Sequence, residues 1–236
     1  MYTDPRGGHN QKVFNKNFFK IWSPEMAYVL GYIYADGVIE DVRKSSRTCY
    51  TAITSVDYGL LNKVRGTLSS NHKLYVKNEH TQTFPDGKKY LCRKAHVLRI
   101  GSKSMFDDLV KLGLTPRKSL TLKFPDIPAN LLSYFVRGYF DGDGCIMVSI
   151  DKGKKTPSVK IIFTCGSLNF LDQLNDLLNK HTTSRFKNII HGDHAYQLSY
   201  RKYDSLKVLK FMYKNLNRSP FLNRKYYKYK EYLETL

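Results

Sequence analysis

The sequence predicts an α+β fold made of two similar half-domains, each with the element order αββαββα. Two observations predict it. Stretches with helical apolar periodicity alternate along the chain with short stretches of strand-like alternation. The order of these stretches then repeats within the 236 residues. Because each copy holds only about 105 residues, near the lower limit for self-sufficiency, two halves that share an interface are favoured over two independent domains.

Three pairs of segments match in the same order. The segment AYVLGYIYADGVIE at 27–40 corresponds to SYFVRGYFDGDGCIM at 133–147. At an offset of 107, three residues of the first copy align with three of the second: Gly31, Asp36 and Gly37 with Gly138, Asp143 and Gly144. The other two matches pair 52–64 with 161–174, and PRKS at 116–119 with NRKY at 223–226. Three ordered matches indicate an internal duplication.

In the first half, a helix is expected from Pro24 to about Ala35. Ser23 can cap it, Pro24 suits its first position, and Asp36-Gly37 ends it. The elements expected next are strands at 38–44 and 48–55, a helix at 58–69 capped by Asp57, strands at 72–77 and 91–100 around a polar loop at 85–87, and a helix at 102–112.

The second half repeats this order. Its expected elements are a helix at 130–142, strands at 144–151 and 158–165, a helix at 168–180, strands at 184–190 and 195–200, and helices at 203–216 and 221–235. The expected domain division is therefore a basic, poorly ordered N-terminal arm at 1–20, a half-domain at 21–113, a linker at 114–128 and a half-domain at 129–236.

The charge indicates a polyanionic partner. Lys and Arg number 39 against 20 Asp and Glu, a net charge of +19, and aromatic residues make up 14% of the chain. A basic, aromatic-rich globular chain is typical of nucleic-acid binding. The longest uncharged apolar run, Ala27 to Ala35, is far short of a membrane span. With no secretory signal and four scattered cysteines, we expect an intracellular protein, in the bacterial cytoplasm or an organelle matrix, that is neither secreted nor membrane-bound.

Small residues four positions apart mark one face of each repeated helix: Gly31 with Ala35, and Gly138 with Gly142. Such faces allow two helix backbones to approach closely, which would bring the helix ends together. Asp36 and Asp143 would then be neighbours, and their repulsion favours a divalent cation between them. Mg²⁺ takes carboxylate and phosphate oxygens, and two such ions can support phosphodiester hydrolysis. A single Asp-Gly is more often a plain turn, but two at matching repeat positions favour a site.

The segments YVLGYIYADG and YFVRGYFDGDG resemble the two motifs of the monomeric LAGLIDADG homing endonucleases, or meganucleases. The resemblance extends from about residue 20 to the end, and it includes PRKS and the LNRKYYKY stretch. It implies two half-domains related by a pseudo-twofold axis, with the motif helices at their interface. It further implies two curved, antiparallel four-stranded sheets that form a saddle over the DNA major groove.

The resemblance also implies roles for particular residues. Asp36 and Asp143 would bind Mg²⁺, with Mn²⁺ or Ca²⁺ able to substitute in binding, and each would serve cleavage of one DNA strand. The backbone carbonyls of Ala35 and Gly142 would be further metal ligands. Two basic residues would stabilise charge or position water near the scissile phosphates: Lys118 and Lys225. The earlier motif acid is present as Asp141, but Tyr34 replaces it in the first copy.

Alternation along the strands separates core-facing from outward-facing side chains. In 48–55, Thr51 and Ile53 suit the core, and in 158–165 Val159, Ile161 and Phe163 do. Arg and Lys contact guanine or phosphate, and Ser and Tyr can do either. The candidate DNA-contacting residues on or beside the strands are Glu40, Val42, Lys44, Tyr50, Arg93, Arg99, Ser149, Lys154, Lys160 and Arg201.

Three functions fit these features. The retained pair of acids favours a site-specific, metal-dependent double-stranded DNA endonuclease, and the resemblance implies a long asymmetric target and 3′-overhanging ends. The alternatives are a maturase that binds host intron RNA and a non-cleaving DNA-binding regulator of the same fold. Because the second copy supplies what a second subunit would otherwise provide, we expect a monomer.

Overall fold

The computed structural model describes residues 12–42, 48–83, 87–150, 152–153, 156–192 and 195–236. Its α-helices are α1 (Pro24–Asp36), α2 (Tyr58–Thr67), α3 (Lys103–Lys111), α4 (Leu132–Asp143), α5 (Leu168–Thr182), α6 (Tyr203–Tyr213) and α7 (Asn223–Leu233). Its strands are β1 (Gly37–Asp41), β2 (Cys49–Ser55), β3 (Leu74–Lys77), β4 (His80–Thr83), β5 (Lys89–Cys92), β6 (Ala95–Gly101), β7 (Gly144–Ser149), β8 (Ser158–Cys165), β9 (Ile190–His191) and β10 (Tyr196–Arg201). No helix in these ranges is long and apolar enough to cross a lipid bilayer.

The two halves share one topology, which confirms the predicted α+β fold. The first half forms a four-stranded antiparallel sheet in the order β1-β2-β6-β3, and the second forms one in the order β7-β8-β10-β9. The alternation predicted for the second strand of each half is also confirmed, because Thr51, Ile53, Val159, Ile161 and Phe163 are all buried. Each sheet therefore packs one face on the helices and turns the other outward.

Helices α1 and α4 pack directly against each other at the centre of the molecule. A methyl group built on Gly31 would lie 2.1 Å from the carbonyl oxygen of Phe135. One built on Gly138 would lie 2.0 Å from the carbonyl oxygen of Tyr28. Both distances are far below any real carbon–oxygen contact, so only glycine allows the two backbones to approach this closely. The buried apolar residues of both halves form one continuous core around this helix pair.

Three expectations differ from the structure. The predicted arm at 1–20 does not stay apart from the fold, because Phe18 and Phe19, in a short 3₁₀ helix at Phe18–Lys20, are buried in the core. The loop expected around 85–87 is flanked by a strand pair, β4 and β5, although residues 84–86 lie outside the described residues. The strand expected at 184–190 is reduced to Ile190–His191.

The close packing of the helices predicts a large effect of one methyl group. Gly138→Ala should lower the free energy of unfolding by about 3 kcal/mol or more, because the new atom meets rigid backbone rather than a side chain that can move. The control is Gly66→Ala near the end of α2, where an added methyl meets nothing within 4 Å. That change should stabilise the protein by about 0.5–1 kcal/mol. Urea unfolding of the two variants and the parent measures both, and equal effects would contradict the packing described.

Candidate active site and nucleic-acid interface

The packed helices end side by side, each at an aspartate. Helix α1 ends at Asp36 and α4 at Asp143, and each is followed directly by the first strand of its half. A methyl group built on Gly142 would lie 2.4 Å from the Cβ atom of Ala35 and 3.3 Å from Oδ2 of Asp36. The last turn of α4 therefore lies directly against the last turn of α1. The sequence prediction that the small-residue faces bring the helix ends together agrees with this geometry.

The two carboxyl groups are mostly buried and affect each other's charge. Burial, followed by repulsion from Asp143, raises the pKa of Asp36 to about 7, although Lys225 and Lys118 act in the opposite direction. Burial also raises the pKa of Asp143, and Lys118 and then Lys225 oppose that shift. Each acid thus interacts with both lysines, so residues from both halves form one electrostatic cluster. A cation placed between the acids would relieve both burial and repulsion.

Two lysines lie beside the acids but in different settings. Lys118 Nζ donates a hydrogen bond to the carbonyl oxygen of Ala35 at 3.1 Å. Lys225 Nζ donates to three carbonyl oxygens, those of Phe140, Asp141 and Gly144, at the C-terminal end of α4. An ammonium group has three protons, so every donor of Lys225 is used within its own half. Burial lowers the pKa of both lysines, that of Lys225 to about 8.

The two earlier motif positions connect the helices to neighbouring segments. The buried carboxylate of Asp141 accepts a hydrogen bond from the Tyr28 hydroxyl at 2.7 Å and one from the Leu222 amide at 2.8 Å. Its counterpart Tyr34 donates its hydroxyl to the carbonyl oxygen of Leu112 at 2.6 Å. Both side chains therefore fix packing. Asp141 holds the other motif helix and the segment leading to Lys225, and Tyr34 holds the end of α3.

An ion pair between the halves lies at the edge of this cluster. The Arg224 guanidinium donates to both carboxylate oxygens of Asp57, with its shortest contact at 3.0 Å. The expected capping of α2 by Asp57 is wrong, because the side chain makes no cap hydrogen bond. The equivalent residue of the second half, Ser167, does cap its helix through the amide of Phe170. Sequence analysis missed this pair, since a residue before a helix reads as a cap whatever its distant partner.

The available oxygens suit a hard divalent cation. Two carboxylates and a backbone carbonyl at the helix ends are ligands that Mg²⁺ accepts, and it commonly completes its shell with water and phosphate oxygens. Among the described residues, no group of three or more His, Cys, Asp or Glu side chains could hold a metal ion. An ion at this site would therefore rely on the two acids, main-chain oxygens such as that of Ala35, and oxygens from outside the protein.

The sheets present most of the candidate DNA-contacting residues on their outward faces. In the first sheet, Glu40 pairs in register with Tyr50 across β1 and β2, and Arg99 follows on β6. The Arg99 guanidinium forms an ion pair with Glu40 at 3.2 Å and lies 3.9 Å from the centre of the Tyr50 ring. These three side chains form one preassembled polar group on the exposed surface.

In the second sheet, Lys160 of β8 is paired in register with Arg201 of β10 and, on the other side, with Met147 of β7. Ser149 lies at the exposed end of β7. Beside the start of β7, a cavity of about 230 Å³ is lined by cationic side chains and the strand itself: Arg224, Lys225, Lys228 and Gly144–Ile146. Basic groups thus lie both on the outward face and next to the acids.

The remaining candidates do not lie within the sheets. Val42 is half-buried just beyond β1, and Arg93 is exposed between β5 and β6. Two candidates, Lys44 and Lys154, lie outside the described residues. The structure therefore brings the acids, the lysines and the sheet candidates to one side of the fold's central helix pair, and it leaves Val42 and Arg93 at the periphery.

Comparison with known proteins identifies the same family from two directions. A model of LAGLIDADG-like domains matches residues 130–210. The LAGLIDADG meganuclease I-AabMI, solved bound to uncleaved DNA, is 14% identical with a TM-score of 0.59, and the match covers 90% of each chain. The homing endonuclease I-WcaI, bound to its DNA recognition sequence, is 15% identical with a TM-score of 0.54 and coverage of 95% of each chain. A search of curated protein sequences found no match.

A third solved structure, the LAGLIDADG homing endonuclease I-GzeII with its DNA target, is 13% identical with a TM-score of 0.58. That match covers 91% of this chain and 89% of I-GzeII. At such identities these likenesses show the fold. The resemblance drawn from the motifs is thereby confirmed, in sequence over residues 130–210 and in fold over most of the chain.

The raised pKa of Asp36 predicts a pH-dependent stability. A carboxyl group with a pKa near 7 in the folded state and near 3.8 when unfolded costs stability as the pH rises between those values. Asp36→Asn removes this cost. In EDTA, the variant should therefore gain stability over the parent as the pH rises from 4 to 8. Thermal unfolding across that range measures the difference, and a constant difference would contradict the raised pKa.

Proposed function

From the shared fold of the LAGLIDADG meganucleases and the LAGLIDADG-like domain at residues 130–210, we propose that this chain is a site-specific, metal-dependent endonuclease acting on double-stranded DNA. The observation that carries the proposal is the meeting of Asp36 and Asp143, one from each half, at the ends of the packed helices. One acid from each half suits a centre that cleaves two strands. A long asymmetric target and 3′-overhanging ends are parts of the same proposal.

In the proposed reaction, water adds to the phosphorus of a phosphodiester and the bond to a sugar oxygen breaks. Divalent cations, when bound, lower the pKa of that water and stabilise the leaving oxygen. Asp36 and Asp143 hold the cations, with the Ala35 and Gly142 carbonyls as further ligands. The ammonium group of Lys118, beside Ala35, stabilises negative charge as it develops on the phosphate. Lys225, bound to three carbonyls, fixes the end of α4 and adds positive charge.

Recognition of the duplex falls to the outward faces of the two sheets. A net charge of +19 supplies the attraction to phosphates, and a two-stranded or larger sheet can reach base edges in the major groove. The two faces differ in chemistry. The first carries the assembled Arg99, Glu40 and Tyr50 group, and the second carries Lys160 and Arg201. Unlike faces on one chain fit an asymmetric target read by a monomer.

We predict that Asp36→Asn and Asp143→Asn each abolish double-strand cleavage, because each removes a metal-binding carboxylate and its charge. The protein is incubated with Mg²⁺ and a pooled duplex library that includes the junction at which its own gene is inserted. The matched control is Asp172→Asn, an exposed aspartate on α5, which should cleave like the parent. Specific binding with no cut by any protein would favour the non-cleaving regulator, and binding to host intron RNA alone would favour the maturase.

We also predict a kinetic effect at Lys118. Lys118→Gln removes the cation nearest the Ala35 carbonyl, so the single-turnover cleavage rate should fall by about 10²-fold. Affinity for the duplex in Ca²⁺ should stay within about twofold, because one charge among many contributes little to total binding. Lys123→Gln, an exposed lysine five residues further on, serves as the control. Equal rates for the two variants would remove Lys118 from the proposed site.

A further inference from the structure

The first half carries a long β-ribbon that extends beyond its sheet. Strands β3 and β6 pair Leu74 with Leu98 and Lys77 with Ala95. Strands β4 and β5 then pair His80 with Cys92 and Thr83 with Lys89. Both ladders share one register, with two residues on each side between them. The two strand pairs are therefore segments of a single antiparallel hairpin, here called the ribbon (residues 74–83 and 87–98).

The second half has no equivalent extension. Leu198 occupies the place of Leu98, because each pairs with corresponding residues of its sheet, Phe163 and Ile53. Beyond Leu198 the ladder continues for two positions, to Tyr196, where it pairs with His191. Beyond Leu98 the ladder continues for nine positions, to Lys89. The ribbon is thus seven positions longer than its counterpart.

The outer part of the ribbon does not pack onto the body of the protein. Within β4 and β5, every residue is exposed except His80 and Cys92, which are half-buried. Tyr90 and Leu91 are 51% and 65% exposed, although aromatic and aliphatic side chains normally seek cover. A two-stranded hairpin without a packing surface is only marginally stable alone. An exposed, apolar-tipped ribbon of this kind is typical of a surface that a partner covers.

The ribbon's charge identifies the partner's chemistry. Its described residues beyond Val76 include five basic side chains and one acid: Lys77, Lys88, Lys89, Arg93, Lys94 and Glu79. The corresponding described tip in the second half, 190–192 with 195–196, contains no Lys or Arg. Lys89 and Arg93 share the parity of Arg99, which lies on the outward face of the first sheet. A basic ribbon in line with that face suits the backbone of a DNA duplex.

We propose that the ribbon binds duplex DNA beyond the reach of the sheets, so that the first half reads a longer half-site than the second. The inference rests on the proposed function. Seven extra positions at about 3.3 Å each add about 23 Å to the ribbon. Laid along a groove with base pairs spaced about 3.4 Å apart, that length covers about seven base pairs. The DNA site is then off-centre with respect to the two acids.

The first test maps the bound site without requiring cleavage. The full-length protein selects duplexes from a randomised 50-base-pair library in Ca²⁺, and hydroxyl-radical footprinting is then performed on a selected duplex. Addition of Mg²⁺ to the same duplex locates the cleavage centre. The protected stretch should extend about seven base pairs further on one side of that centre than on the other. Arms of equal length would overturn the proposal.

The second test removes two ribbon charges and keeps the fold. The double variant Lys89→Gln with Arg93→Gln should lose protection in the outer part of the longer arm. If each side chain meets one phosphate, the salt dependence of binding falls by about 0.9 per contact. Between 50 and 200 mM salt, the parent should then lose about twelvefold more affinity than the variant. The control removes two exposed lysines on the helical side, Lys111→Gln with Lys210→Gln, and should keep the full footprint.

The possible failures are distinguishable. Selection of no duplex at all would contradict the proposed function and the ribbon's role together. Selection of a duplex with a footprint and salt dependence unchanged in the ribbon variant would contradict the ribbon's role alone. Because Lys89 and Arg93 are exposed, the variant should unfold at the parent's temperature, and that measurement excludes misfolding as the cause of any change.

Discussion

The close approach of α1 and α4 is the constraint on which the rest of the structure depends. Gly31 and Gly138 let each helix backbone contact the other's carbonyl oxygens, and no larger side chain fits at either position. Because both helices end after the same number of residues beyond these glycines, their terminal aspartates meet. The first strand of each half then starts directly from that meeting point. The helix interface, the acidic centre and the positions of both sheets thus follow from one contact.

The same contact has an electrostatic cost that function would turn to use. Two carboxyl groups held close in a largely buried setting raise each other's pKa, and the neighbouring lysines offset this only in part. Such a site favours any divalent cation that arrives with oxygens of its own, as a phosphodiester would supply. The cluster also joins the halves chemically, because Arg224 of the second half pairs with Asp57 of the first. A duplicated chain thereby gains one centre in place of two.

Much of the fold could be predicted from the sequence, because duplication supplies each weak signal twice. The paired Asp-Gly helix ends, the small-residue faces and the strand alternation at Thr51 and Ile53 are all local patterns with clear periods. The ribbon was missed because its strands lack a buried face, and therefore lack the alternation that marks a strand. Asp57 was misread because its partner lies far away in the sequence. The setting of Lys225 depends on tertiary packing that no local pattern records.

The most direct test of the central claim measures whether the two acids share one environment. Carboxyl carbon resonances of the metal-free protein, labelled at aspartate, give the pKa of Asp36 in the parent and in Asp143→Asn. If the helix ends meet as described, the pKa near 7 falls in the variant, because the repulsion from Asp143 is removed. An Asp36 pKa that stays the same when Asp143 loses its charge would contradict the shared centre.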